Sequence, residues 1–323
     1  MKVISVESEY EKNKELRKED VAVLKEWAEK EPHLPPISEL HLIFFLHSCY
    51  YSIEMAKTTI DSYFTYRAHC PELFQNRDLS ELKKHFEICH FLHLPQKTPN
   101  GDQILMFKFK DLDPNKFSFN DQMKIFDMCI VQWMMQHGTA EGFVIVCDYE
   151  GVTLSHILKL NVMTIKKILF YLQDALFVRL KSIHFCNVGA YMDVLMNLVK
   201  PFLKKELVNS LHFHTESIKS LYKFVPLDCL PSDYGGLQPS VAALHDTIWE
   251  MLLEYTDYFA KENLYIADES KRVGKATNLS DILQSSLPPG PEGASGYSGV
   301  SGFSGTPGNG GYSGISGTSG VSG

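Results

Sequence analysis

The sequence predicts an α/β protein: an N-terminal helical bundle, then a mostly parallel sheet covered by helices. Three observations carry this prediction. Apolar residues recur at helical spacing up to about residue 85. From about residue 90, strand-like and helix-like stretches alternate, the pattern of a parallel sheet with helical crossovers. Near Pro288 the composition turns abruptly to a glycine repeat. The implied units are residues 1–85, 86–284 and 285–323.

In the first unit, "NKELRKEDVAVLKEWAEKEP" brings Leu16, Val21, Val23, Leu24 and Trp27 to near-helical spacing and stops before Pro32. "SELHLIFFLHSCY" opens on Ser38, whose hydroxyl suits a helix N-cap. "SIEMAKTTIDSYFTYRAHCPELF" sets Ile53, Ala56, Ile60, Tyr63, Phe64 and Tyr66 along one broad face. Pro71 ends that helix, because proline lacks the N–H that would continue it.

The second unit opens with a strand, "DQILMFKFKDLD", carrying Ile104, Met106, Phe107 and Phe109. A long helix follows in "FSFNDQMKIFDMCIVQWMMQHG". The apolar run "FVIVC" then reads as a buried strand stopping at Asp148, with Glu150 and Gly151 in the turn. Next come the helix "MTIKKILFYLQDALFVR", the strand "LKSIHFCNV" and an apolar helix over residues 190–203. The short strand "SLHFH" precedes a helix in "TESIKSLYKFV", and "LPSDYGG" leads into a helix over residues 241–261. In the third unit, glycine at every third position suggests collagen. About eleven triplets with only Pro291 and Pro307 as ring residues do not hold a triple helix, so this tail is expected to be disordered.

Composition narrows the function. Hydrophobic residues make up 44% and charged residues 22%, enough for a large core. The formal net charge of −8 leaves no basic excess for nucleic acid. Seven scattered cysteines without a C-x-x-C pair point to buried thiols in a reducing compartment. The first ten residues are charged and lack an apolar core, unlike a signal peptide, and no apolar run reaches the roughly 18 residues of a membrane span. A cytoplasmic monomer is expected.

Candidate chemistry is sparse. Asp148 and Glu150 end a strand, where many α/β enzymes place an acid and a base, but they equally suit turn amides and the cap of the next helix. "CHFLH" (Cys89, His90, His93) and "HFH" (His212, His214) have strand spacing that puts ligands on one face, yet match no zinc pattern. A hydrolase would have to use Ser155, His156 and Asp148, without a nucleophile elbow. Phosphate-cradling glycine loops are missing from the sequence. No metal or cofactor is expected. What the chain has in excess is apolar surface: Met192, Val194, Leu195, Met196, Leu198, Val199 and Phe202 crowd one helix, suiting a lid over an apolar ligand.

The segments "VIVCDYEGV", "RLKSIHFCNVGAYMDVLMNLVKPFLKKEL", "LHFH" and "LPSDYGG" resemble, in this order and spacing, the CRAL-TRIO lipid-binding family, in its tocopherol- and retinaldehyde-binding branch. The motifs D-x-E-G, I-H-x-x-N, K-P-F-L and L-P-x-x-Y-G-G are weak singly and specific together. The resemblance implies a non-enzymatic carrier that moves a tocopherol, retinoid or carotenoid between membranes. It makes Asp148 and Glu150 structural and the lid a mobile gate. It implies a pocket lined by Cys129, Phe143, Cys147, Val152, Ile168, Leu172, Leu176, Ile183, Leu195, Val199 and Leu203. Met192, Leu198 and Phe202 would meet the bilayer, with anionic phospholipid adding attraction. Of the family's phosphoinositide-binding basic positions, two remain, Arg179 and Lys181. Glu206, Ser210 and His47 stand at others, and an acidic residue repels phosphate. The alternative implied by the same resemblance is a phospholipid or phosphoinositide exchange protein.

Overall fold

The structure, a computed structural model, describes residues 1–215 and 218–285; the glycine-repeat tail lies outside the described residues. Six helices come first: α1 (Val6–Lys12), α2 (Lys18–Lys30), α3 (Glu39–Ser48), α4 (Ile53–His69), α5 (Pro71–Phe74) and α6 (Leu79–Phe86). Short polar side chains cap four of them, Ser5, Ser38, Ser52 and Asp78 each accepting a first-turn N–H. The central helix α3 has no polar stripe: Leu42 to Leu46 are all buried, since α1, α2 and α4 pack around it.

The remaining elements alternate as β1 (Cys89–His93), β2 (Gln103–Phe109), α7 (Phe119–His137), β3 (Phe143–Asp148), α8 (Leu154–Ile157), α9 (Val162–Asp174) and β4 (Leu180–Cys186). Then follow α10 (Tyr191–Val199), α11 (Lys205–Ser210), β5 (Leu211–His214), α12 (Val241–Glu254), α13 (Thr256–Glu262) and α14 (Leu279–Ser285). The strands lie in the order β1-β2-β3-β4-β5. β1 is antiparallel to β2, and the other pairs are parallel. Sequence order equals spatial order, so the right-handed crossovers through α7, α8–α9 and α10–α11 all fall on one face of the sheet. The other face buries Ile104, Met106, Val144 and Val146 against Leu221, Val225, Leu230, Val241 and Leu244.

Three local expectations change. The apolar helix expected over 190–203 ends at Val199 and continues as a 3-10 turn over Lys200–Phe202, where Pro201 removes a donor N–H. The helix expected in "TESIKSLYKFV" is a 3-10 segment, Ile218–Lys223. The helix expected over 241–261 breaks at Tyr255 into α12 and α13.

The bundle joins the sheet domain through a buried square of charge. Arg67 on α4 lies 3.6 Å from Asp127 of α7 and 3.2 Å from Glu262 of α13. Arg77, just before α6, pairs with Asp127 and, at 2.8 Å, with Glu262. Tyr171 of α9 donates its hydroxyl to Asp127 at 2.5 Å. Burial opposes the charge of Arg67, but Glu262, Tyr63 and Asp127 outweigh it and hold the guanidinium above its ordinary range.

Candidate lipid-binding cavity

Side-chain alternation in the strands decides which face holds the cavity. Phe107 and Phe109 of β2, Ile145 and Cys147 of β3, and Ile183 and Phe185 of β4 point to the crossover helices and form its floor. Lys108, Asp148 and Cys186 point the other way, at matched register positions in the parallel ladder. The walls come from one stripe on each helix: Phe119, Met123 and Phe126 of α7, Ile165, Ile168, Leu169 and Leu172 of α9, and Met192, Leu195, Met196 and Val199 of α10. The last four recur at helical spacing, so α10 turns one face inward and exposes Val194 and Leu198. The cavity volume is about 200 Å³, small for a drug-sized site. Three methionines in its wall, Met123, Met192 and Met196, give side chains that repack easily.

Of the residues expected in the pocket, Cys147, Val152, Ile168, Leu172, Ile183, Leu195, Val199 and Leu203 line this cavity. Three do not. Cys129 lies beyond Phe126 along α7 and borders a separate void of about 10 Å³ lined by Phe91, Leu105 and Phe107. Phe143 has the parity of the floor, but it sits at the N-terminal end of β3, edge-on to Trp133 at 5.1 Å. Leu176 follows the end of α9 and packs into the core shared with the bundle. Sequence reasoning missed the aromatic end of the cavity, where Phe109, Phe117, Phe119, Tyr149 and His156 gather. The alternation of β2 already placed Phe107 and Phe109 on the face of Ile145.

The membrane set also divides. Leu198 is exposed, whereas Met192 is 4% exposed and faces inward, one turn before Leu195 and Met196. Phe202 is half-buried against α9, under the Lys166 ammonium at 5.0 Å. Around α10 the exposed apolar side chains are instead Val194 and Leu198, with Leu154 and Leu158 in and after the neighbouring α8 and Met163 at the start of α9. Among the described residues, no helix is long and apolar enough to cross a membrane.

Arg179 and Lys181 meet the α3–α4 turn. The Arg179 guanidinium lies over Tyr50 at 4.3 Å, and its Nε donates to the His47 carbonyl at 2.8 Å. Lys181 donates to the Tyr50 hydroxyl at 3.2 Å. Tyr50 and Tyr51 both hold positive φ, 50° and 63°. His47, which stands where the resemblance places an arginine, is driven down to about 3 by burial and by Arg179 beside it.

Asp148 is a hub on the opposite face. Its carboxylate is wholly buried and accepts from Tyr234 (2.5 Å), Asn187 (2.7 Å), Lys108 (2.9 Å) and the Glu150 N–H (3.0 Å). Burial pushes its acidity down, but the three side-chain donors outweigh this and hold its pKa below the usual range. Lys108 also binds Glu150 at 2.6 Å. The two carboxylates thus hold a lysine and a turn; the cap of α8 is Thr153, not either of them. Gly235 sits at φ +80°, and a Cβ on Gly236 would lie 1.9 Å from the Leu230 carbonyl oxygen, so the turn that delivers Tyr234 needs both glycines. His156 bonds Thr153 rather than Ser155 or Asp148. His212 and His214 join His184 on β4, whereas His90 and His93 lie on β1, at the far edge of the sheet. Among the described residues no three ligating side chains are placed to hold a metal ion. All seven cysteines are free, six of them buried.

This architecture, a helix-covered apolar cavity on a five-stranded sheet behind a helical bundle, has counterparts among known proteins. Residues 89–236 match the CRAL/TRIO domain, and residues 13–84 match the Pinta-like UBA domain. The sheet domain is thus a CRAL-TRIO domain over residues 89–236. It is 27% identical over 264 residues to "Alpha-tocopherol transfer protein-like" of Homo sapiens, spanning 80% of this chain and 76% of that one. It is 28% identical over 140 residues to "Clavesin-1" of Xenopus laevis, covering 43% of this chain and 42% of the relative. A solved structure titled "Crystal structure of Sfh5" aligns with a TM-score of 0.48 at 13% identity, over 80% of this chain and 99% of that chain.

Proposed function

We propose that this protein takes a hydrophobic small molecule of tocopherol, retinoid or carotenoid type into the cavity and carries it between membranes without altering it. The observation that carries this reading is the cavity wall: seven strand side chains and stripes from three helices, nearly all aliphatic, aromatic or methionine. Burying each side-chain-sized apolar group of a ligand there is worth about 1.5–3 kcal/mol, so a long chain is held with few hydrogen bonds. Burial raises the Cys147 thiol well above its ordinary pKa, so it meets the ligand as a neutral group. The exposed Val194 and Leu198 on α10, beside Leu158, suit a helix that swings open at a bilayer surface, in reversible peripheral contact from the cytoplasm.

A phosphoinositide exchanger would need free cations for its head group, and Arg179 and Lys181 are engaged with His47 and Tyr50. Mass spectrometry of organic extracts from the purified chain tests the choice. An isoprenoid or retinoid at near one per chain supports the carrier reading; stoichiometric phospholipid supports the exchanger.

A further inference from the structure

The polar groups in the cavity wall are not all alike. Asp127 and Tyr171 are satisfied by each other, and Asp127 also by Arg77. Gln122 and His156 are different. Gln122, fully buried near the start of α7, donates its Nε2 to the His85 carbonyl at 2.9 Å. That bond fixes the orientation of the amide, because a carbonyl accepts only from nitrogen, and it leaves Oε1 as a buried acceptor without a partner. His156, 2% exposed, accepts the Thr153 N–H at Nδ1 over 3.2 Å. An accepting Nδ1 puts the ring proton on Nε2, and this N–H is buried without a partner as well. Both side chains line the cavity.

They belong to the same aromatic end. The His156 ring stands 5.4 Å from Phe109 and 6.4 Å from Phe117. Phe117 immediately precedes Ser118, the N-cap whose carbonyl accepts the Gln122 N–H. Buried polar atoms are nearly always paired, so an orphan donor and an orphan acceptor in one wall call for a ligand that completes both.

We propose that Gln122 and His156 are specificity-determining residues that select a lipid bearing a free hydroxyl group. This rests on the lipid-carrier reading and names the chemical class of its cargo. A hydroxyl oxygen accepts from the His156 Nε2–H while its proton goes to Gln122 Oε1. An aldehyde or an ester only accepts, which strands the glutamine oxygen, and a hydrocarbon completes neither group. A site built around a hydroxyl discriminates against analogues lacking it far more strongly than an apolar pocket discriminates by size.

The test uses the full chain and two matched pairs, retinol with retinyl acetate and α-tocopherol with tocopheryl acetate, plus a fluorescent phosphatidylcholine. Binding is read by fluorescence titration. The expected result is that at least one alcohol binds tenfold or more tighter than its acetate. Gln122→Met, which keeps the chain length without the oxygen, brings that pair to within threefold by weakening the alcohol alone. The acetate affinity reports directly on the folding of the variant, and the wild-type preference stands independently of it. Equal binding of alcohol and acetate by the wild type, or an undiminished preference in Gln122→Met, overturns the hydroxyl assignment and leaves the carrier reading intact. Binding of phosphatidylcholine with neither alcohol also overturns it, in favour of the exchanger. Binding of none of the five overturns the carrier reading as well.

Discussion

Asp127→Asn changes one atom in the square that ties the bundle to the sheet domain. The four side chains, Arg67, Arg77, Asp127 and Glu262, are 0–7% exposed and sum to zero charge. Asparagine keeps the shape and one acceptor oxygen for Tyr171 or Arg77, but leaves one positive charge without compensation. Two charges 4 Å apart attract by about 4 kcal/mol at an effective dielectric of 20. Part of that loss is offset because a buried carboxylate no longer needs desolvating. Breaking one member of such a buried set costs about 3–5 kcal/mol, a large share of the roughly 5–15 kcal/mol that holds a domain. Urea titration followed by circular dichroism and by tryptophan fluorescence measures it, with the midpoint falling and the slope unchanged. The double variant Arg77→Met/Asp127→Leu, which removes one charge of each sign, is expected to lose less than the sum of its parts, by about 2 kcal/mol or more. A loss under about 1 kcal/mol in Asp127→Asn would refute the claim that the square holds the two halves together.

Three further outcomes are expected. Leu195→Asp, on the half-buried inner face of α10, places a carboxylate against the ligand and lowers retention of a bound fluorescent lipid at least tenfold while far-UV dichroism is unchanged; equal retention would move the ligand elsewhere. Val194→Ser with Leu198→Ser removes exposed apolar surface, so transfer between vesicles slows several-fold while equilibrium binding stays within about twofold; a transfer rate insensitive to both would place the exit away from α10. Acid is destabilising: His47, His184 and His245 are held at about 3, chiefly by burial, against an ordinary value of 6.5. The unfolded chain therefore binds protons that the folded chain refuses, and stability falls as pH drops from about 6.5 toward 3, by up to about 1.4 kcal/mol per unit for each group. A melting temperature flat from pH 7 to pH 4.5 would contradict this.

Strands and helices were legible where one period dominated. The run in β3 stood out because both faces are buried, and the stripe in α9 stood out because one face is. What the sequence could not supply was direction. Met192 and Leu198 belong to one apolar helix, and nothing in their identity tells which side meets the cavity; only the placement of α10 over Ile183 turns Met192 inward. Phe143 has the right parity on β3 but lies where Trp133 already fills the space. Cys129 shares a stripe with Gln122 and Phe126, yet the cavity ends before it. Lys108, the basic partner of Asp148, is distant from it in sequence, and only parallel pairing sets the two side by side. The orphaned atoms of Gln122 and His156 depend on tautomer and amide orientation, which no spacing encodes.

Three of the motifs that make this chain recognisable end in a single place. D-x-E-G supplies Asp148, I-H-x-x-N supplies Asn187, and L-P-x-x-Y-G-G supplies Tyr234, and the last two donate to the first. That junction fastens the carboxyl ends of β3 and β4 to the segment covering the rear of the sheet, facing away from the cavity. The fingerprint therefore reports a clasp. The cavity lies across the sheet, lined by side chains such as Gln122, His156 and Phe117, none of which belongs to that clasp. Fingerprint and cavity are written in separate sets of residues, so a chain can keep the one while changing the other.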